Sequence, residues 1–178
     1  MDAYLPGLPE LARDFGASPS AAQVTVTTYL LGLALGQLLS GPVSDVHGRR
    51  RPLVVGMAVF TVATLACSLA PSLFVLAVMR LVQGTSAAVG VAVGRAIVRD
   101  LYAGAAGARY LSRLMMVIGL APILAPVIGG QLLRFTSWRG VFVALSHFQA
   151  GAAFSWSLLA LTVITSRLLE SLANLRLP

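Results

Sequence analysis

From residue 20 to residue 43 the chain carries no charged side chain. A compact cluster of one acid and three arginines then closes the run, Gly41-Pro42-Val43-Ser44-Asp45-Val46-His47-Gly48-Arg49-Arg50-Arg51-Pro52. As a helix rising about 1.5 Å per residue, residues 20–43 reach roughly 36 Å, enough to cross a hydrocarbon core of about 30 Å. Residues 52–79 are also uncharged, and beyond Arg80 charge stays absent to Gly94. That stretch is too long for one span and Ala70-Pro71-Ser72 interrupts it. It therefore predicts two helices, over about 53–70 and 73–96, joined by a tight turn. Residues 114–133 predict a fourth span, and residues 140–166 a fifth, weaker one containing His147, Gln149 and several serines.

Composition agrees with this pattern. Of the 178 residues 57% are hydrophobic and only 11% charged, with a mean hydropathy of +0.85. Ordinary soluble domains carry about 25% charged residues, so this chain has too little charge to cover a soluble surface, and the expected class is an all-α integral membrane protein in the lipid bilayer. The net charge of +7 could suggest nucleic acid, but the arginines are few and fall in short loops, as the positive-inside bias predicts for cytoplasmic segments. No nucleic-acid partner is expected. Cys67 is the only cysteine, which excludes a disulfide framework or a cysteine-based metal site, and no cofactor is implied. The start, Met1-Asp2-Ala3-Tyr4, lacks the basic region of a signal peptide.

The loops set an orientation. Asp45 to Arg51 and Arg99 to Arg113 each carry three arginines, the latter also Asp100, so both are expected in the cytoplasm. The turn at Pro71 then faces outward. Arg134 and Arg139 lie on an outward loop against the trend, and the tail with Arg167, Glu170 and Arg176 returns inside. Residues 1–19 begin outside. Five complete spans with an outer N-terminus and no export signal suggest that a first helix is missing.

Several residues stand out against the apolar background. Arg80 sits about eight residues into its span, roughly 12 Å deep, where a charge costs at least about 2.5–3.5 kcal/mol on insertion scales. It should face an interior cavity or a buried partner, and Gln83 and Gly84 extend the same face one turn on. Asp45 and Arg49 stand four apart and could pair, or the arginines could serve only as topology markers. Gly41-Pro42 and Gly48 favour a shaped turn around the acid. Pro122 and Pro126 each remove a backbone donor, so their helix should bend or open locally, for packing or for gating. Gly32 and Gly36, Gly90 and Gly94, and Ala121, Ala125 and Gly129 keep the four-residue step of close helix packing in lipid. His147 reads as a satisfied core or cavity-facing imidazole rather than a metal ligand, since no second ligand is spaced nearby. No nucleophile elbow or phosphate-cradling loop occurs, so no enzyme is indicated.

These residues resemble a known family. Gly41-Pro42-Val43-Ser44-Asp45 through Gly48-Arg49-Arg50-Arg51 resembles motif A of the major facilitator superfamily. Leu76 to Ala88, with Arg80-Leu81-Val82-Gln83-Gly84, is similar to its motif B, and Ala121-Pro122-Ile123-Leu124-Ala125-Pro126-Val127-Ile128-Gly129-Gly130 to its antiporter motif C. A finer resemblance, to the Bcr/CflA-type drug:proton antiporters, rests on Asp2-Ala3-Tyr4-Leu5-Pro6-Gly7-Leu8-Pro9, Gly36-Gln37-Leu38-Leu39-Ser40-Gly41-Pro42, Arg95-Ala96-Ile97-Val98-Arg99-Asp100 and Trp138-Arg139. It covers roughly residues 1–146 and fades beyond Ser146. Val46 departs from the usual basic residue, and Ala125 replaces a glycine.

The resemblance implies a fold and roles. The fold would be an incomplete six-helix N-terminal half, with residues 1–19 the end of the first helix and an outer loop, residues 20–166 helices two to six, and residues 167–178 a cytoplasmic tail. Arg80 and Asp2 would serve proton coupling. Asp45, Gly48, Arg49, Arg99 and Asp100 would form a cytoplasmic latch, and Pro122, Pro126, Gly129 and Gly130 would let the fifth helix bend toward exchange. Tyr29, Gln37 and Gln83 are cavity candidates. The implied activity is export of small amphipathic drugs of the bicyclomycin and chloramphenicol kind in exchange for protons, across a bacterial inner membrane, with a missing C-terminal half as partner. A non-transporting membrane interaction fragment and a metabolite facilitator on the same fold are the competing readings.

Overall fold

A computed structural model describes residues 2–48, 50–101 and 104–151. A 3-10 segment, Asp2–Gly7, leads into the short helix α1 (Leu8–Asp14). Four long helices follow: α2 (Pro19–His47), α3 (Arg50–Ser68), α4 (Leu73–Leu101) and α5 (Gly104–Leu132). Residues 138–151 are helical again and are called α6. Helices α2 to α5 are each long and apolar enough to cross a membrane. The fifth expected span, 140–166, is helical as far as residue 151, and the remainder of that segment and the tail lie outside the described residues, as does Arg49.

Local chemistry explains where the helices start. Ser18 caps α2, its hydroxyl accepting the Ala21 N–H at 3.2 Å, and Pro19 occupies the first turn, where its missing donor costs nothing. Ser72 does the same for α4, accepting from the Val75 N–H at 3.3 Å.

Two expected loops are shorter than the sequence suggested. Gly41 and Pro42 lie inside α2, which continues to His47, so the shaped turn narrows to the neighbourhood of Gly48 at φ +76°. A proline in a helix leaves one carbonyl without its donor, whereas unwinding the end of a span would release several backbone groups together. The segment expected as a loop over 99–113 is helical up to Leu101 and again from Gly104, itself at φ +60°. At 29 residues each, α4 and α5 reach about 43 Å and outrun the hydrocarbon core, so their end arginines can meet headgroups from helical positions. Helix α5 also runs unbroken through Pro122 and Pro126, without the local opening expected there.

Glycine sets the closest helix pair. A Cβ at Gly32 would overlap the Leu81 carbonyl, one at Gly36 the Thr85 carbonyl, and one at Gly84 the Tyr29 carbonyl, so α2 and α4 touch backbone to backbone from both sides. On α5, a Cβ at Gly129 would run into the backbone of Ala3, which seats the 3-10 segment against that helix. Gly90 and Gly94 behave differently. No described atom lies within 4 Å of a Cβ at either position, and both line an apolar cavity of about 370 Å³ beside Phe60, Ser86 and Gln149. Their four-residue step marks a groove, not a helix contact.

The core gathers toward the predicted outer end, around Tyr4, Leu11, Leu76, Trp138 and Phe142. Polar ties hold its rim. The Trp138 indole donates to Asp14 Oδ2 at 2.7 Å, and Arg139 Nη1 donates to the carbonyls of Ser68 (2.8 Å) and Ala70 (3.1 Å), which α3 leaves open at its C-terminus. The guanidinium of Arg139 also lies 4.4 Å from the Trp138 ring centroid. His147, expected to be buried or to face a cavity, is instead exposed, its Nδ1 2.9 Å from the Val143 carbonyl. Helix α5 presents Met116, Val117, Leu120, Ile123, Leu124, Val127 and Ile128 outward.

Candidate functional site around a buried arginine

Arg80 is 1% exposed, one of the most completely buried large side chains described. Its position follows from α4, which begins at Leu73 and carries it inward, and from the glycine contacts that draw α2 across its face. Three rings surround the guanidinium: Tyr4 at 4.0 Å, Tyr29 at 4.7 Å and Phe142 at 5.5 Å from Cζ to centroid. Desolvated contacts of this kind are worth about 2 kcal/mol or more. They come from three elements, the 3-10 segment, α2 and α6.

Hydrogen-bond directions in the cage can be worked out. A guanidinium only donates. Arg80 Nη1 therefore fixes the Gln83 amide with Oε1 toward it, at 2.7 Å, and Gln83 Nε2 is left to donate to Thr64 Oγ1 at 2.6 Å. The Thr64 hydroxyl has one proton to give. It lies 2.7 Å from the Phe60 carbonyl and 3.0 Å from Gln149 Oε1. If that proton goes to Phe60, the Gln149 amide turns its nitrogen toward Thr64. On the other side, Thr25 donates to the Ala22 carbonyl at 2.7 Å, so the Tyr4 phenol is the donor in its 3.2 Å contact with Thr25.

The sequence candidates fall into separate groups. Arg80, Gln83 and Tyr29 meet in this cage. Asp2 is half-buried in the 3-10 segment, two residues before Tyr4. Gln37 belongs elsewhere: with Asp45 and Arg99 it lines a second cavity of about 370 Å³ toward the other end of α2 and α4. Gly48 closes α2 three residues after Asp45, and Asp100 lies in the last turn of α4, its side chain outside the described set like Arg49. Pro122 is exposed and Pro126 half-buried on α5, while Gly129 is buried against Ala3, and Gly130 approaches Pro6.

Several participants lie outside the sequence candidates, Phe142 and Thr25 among them. Arg95 lines the cavity with Asp45 and Arg99, and its place four residues before Arg99 is the periodic signal that puts both on one face. Tyr4 stands two residues from Asp2 but was not read as a site residue. Thr64 carries no sequence signal, because its role depends on α3 lying against α4.

The comparisons with known proteins agree with this architecture. The family model described as Major Facilitator Superfamily matches residues 1–172, past Ser146 where the resemblance was expected to fade. The chain is 42% identical over 147 residues to the MFS-type transporter YdgK of Bacillus subtilis, which covers 82% of the chain and 37% of the relative. It is 38% identical over 152 residues to Multidrug resistance protein D of Escherichia coli, covering 85% and 39%. It is 34% identical over 146 residues to a Bicyclomycin resistance protein homolog of Haemophilus influenzae, covering 82% and 37%. The chain thus spans less than two-fifths of the length of these relatives. A multi-pass helical membrane protein that matches the family model over nearly its whole length, this chain belongs to the major facilitator superfamily.

Proposed function

We propose that this chain forms the N-terminal part of a proton-coupled drug efflux transporter of a bacterial inner membrane. The observation that carries the reading is Arg80, a cation held inside a membrane-spanning helix by three rings and a side-chain amide. A charge so placed is costly, and intramembrane charges mark substrate and proton routes. The names of two relatives, which refer to multidrug and bicyclomycin resistance, support export of small amphipathic drugs as the cargo.

A guanidinium does not release its proton at working pH, so Arg80 acts by electrostatics. When a carboxylate approaches, the cation favours its ionised form, and when the carboxylate withdraws the proton is retained. Asp2 is the proposed acid, since the segment that carries it also places Tyr4 on the guanidinium. At the other end, Asp45, Arg99 and the neighbouring Arg49 and Asp100 would form the latch that holds one conformation. Pro122, Pro126, Gly129 and Gly130 would set how α5 moves against the 3-10 segment. The relatives are longer than this chain, so the drug path is proposed to lie against a C-terminal half.

The test pairs the whole 178-residue chain with the C-terminal half of the Escherichia coli protein in everted vesicles and measures drug-dependent proton release. Coupled release by the wild type and its loss in Arg80→Ala are expected. Undiminished release by Arg80→Ala would remove the coupling role. Export that ignores the proton gradient would favour a facilitator.

A further inference from the structure

The links from Gln83 to Thr64 and from Thr64 to Gln149 remain outside any role assigned so far. We infer that Gln83, Thr64 and Gln149 are positioning residues for Arg80, a side-chain relay that holds the guanidinium on the Tyr4 ring and passes the state of α6 to it. This inference rests on the proposed coupling role of Arg80.

The chemistry of each member suits the task. Gln83 must accept from a cation through Oε1 and donate through Nε2 at the same time. A glutamate could accept but not donate, and a leucine could do neither. Thr64 supplies the acceptor for Gln83, and its second link crosses 85 residues to Gln149 on α6. Both Gln83 and Thr64 are fully buried, so no bulk water can replace a lost partner. Gln149 is the outer member. It also lines the apolar cavity between α3 and α4, together with Thr61 and Ser86. A shift of α6 or a change in that cavity therefore reaches Arg80 through two amides and one hydroxyl, with no titrating group among them. Arg80 is also gripped by Phe142 from the same helix, so the relay and the ring contact move together.

Two measurements test this. In the 178-residue chain in lipid nanodiscs, nitrogen-15 NMR should show the guanidinium protons of Arg80 exchanging with water roughly tenfold faster in Gln83→Leu and Thr64→Val than in the wild type or Thr64→Ser. Equal exchange in all four proteins would overturn the relay, and this measurement decides whether or not the assembled transporter is active. In vesicles that also contain the C-terminal half, Thr64→Val should displace the pH profile of drug-driven proton release by about one pH unit, and Thr64→Ser should restore it. An unchanged profile in Thr64→Val, with release abolished in Arg80→Ala, would overturn the relay and leave the coupling role standing. Undiminished release in Arg80→Ala would overturn the coupling role itself.

Discussion

Trp138 and Asp14, 124 residues apart, are joined by a 2.7 Å hydrogen bond from the indole N–H to the carboxylate. The bond links α1 to the first turn of α6 beside a fully buried ring, and Phe15 packs on the same indole with 5.6 Å between centroids. Because the acceptor is charged and the site part-buried, the contact is worth about 1.5–3 kcal/mol. Asp14→Asn keeps an acceptor and should lower stability modestly, whereas Asp14→Leu should cost the full amount. Thermal unfolding in detergent measures both; equal midpoints for Asp14→Leu and the wild type would show that the rim is held by packing alone.

Two glycines of α4 should respond in opposite ways. Gly84→Ala drives a methyl into the Tyr29 carbonyl, where neither backbone can yield without separating α2 from α4. A loss of about 1–3 kcal/mol or more is expected, as for overpacked cores. Gly90→Ala enters open space and gains helix propensity, so it should be neutral or stabilising by up to about 1 kcal/mol. Denaturation in mixed micelles ranks the two variants, and equal damage at both positions would contradict the groove beside Gly90.

Gly129→Ala tests how α5 and the arginine cage are connected. The added methyl would displace Ala3, and with it the neighbouring Tyr4 ring that covers Arg80. The Tyr4 phenol should then lose its bond to Thr25. The expected result is a fall of roughly tenfold in coupled proton release with membrane insertion intact, comparable to removing one neutral hydrogen bond of about 1.5 kcal/mol. Tyr4→Phe, which keeps the ring and removes only the hydroxyl, should fall less.

Arg139 should prove more than an outer-loop charge. Arg139→Ala withdraws two hydrogen bonds from the end of α3 and one cation from the Trp138 face, for about 1–3 kcal/mol. Arg139→Lys retains the charge but not the planar guanidinium that lies on the Trp138 ring, and should recover only part of that loss. Thermal midpoints of the three proteins in one detergent provide the check.

Four of the expected spans were legible because charge is absent over long windows, and the burial of Arg80 because an arginine facing lipid at that depth is costly. Helix ends were less legible. Gly41-Pro42 reads as a turn in a soluble chain, but in a bilayer the helix is cheaper to continue than to break. Close packing at Gly32 and Gly36 followed the four-residue rule while Gly90 and Gly94 did not, since spacing marks a smooth face without saying what lies opposite. Thr64 and Tyr4 are silent in the sequence for a related reason: a threonine on α3 and a tyrosine near the N-terminus gain meaning only when α4 brings Arg80 between them. Conversely, Trp138-Arg139 carries a family likeness in the sequence, and its physical content lies at the rim.

The cap that Arg139 places on α3 also bears on the order in which the protein is made. The carbonyls of Ser68 and Ala70 leave the ribosome 71 and 69 residues before the side chain that satisfies them. Until residue 139 emerges, the turn between α3 and α4 must keep its open backbone groups at the wet face of the membrane. Water therefore satisfies those carbonyls while the two helices insert, and Arg139 closes the turn only once α6 has begun.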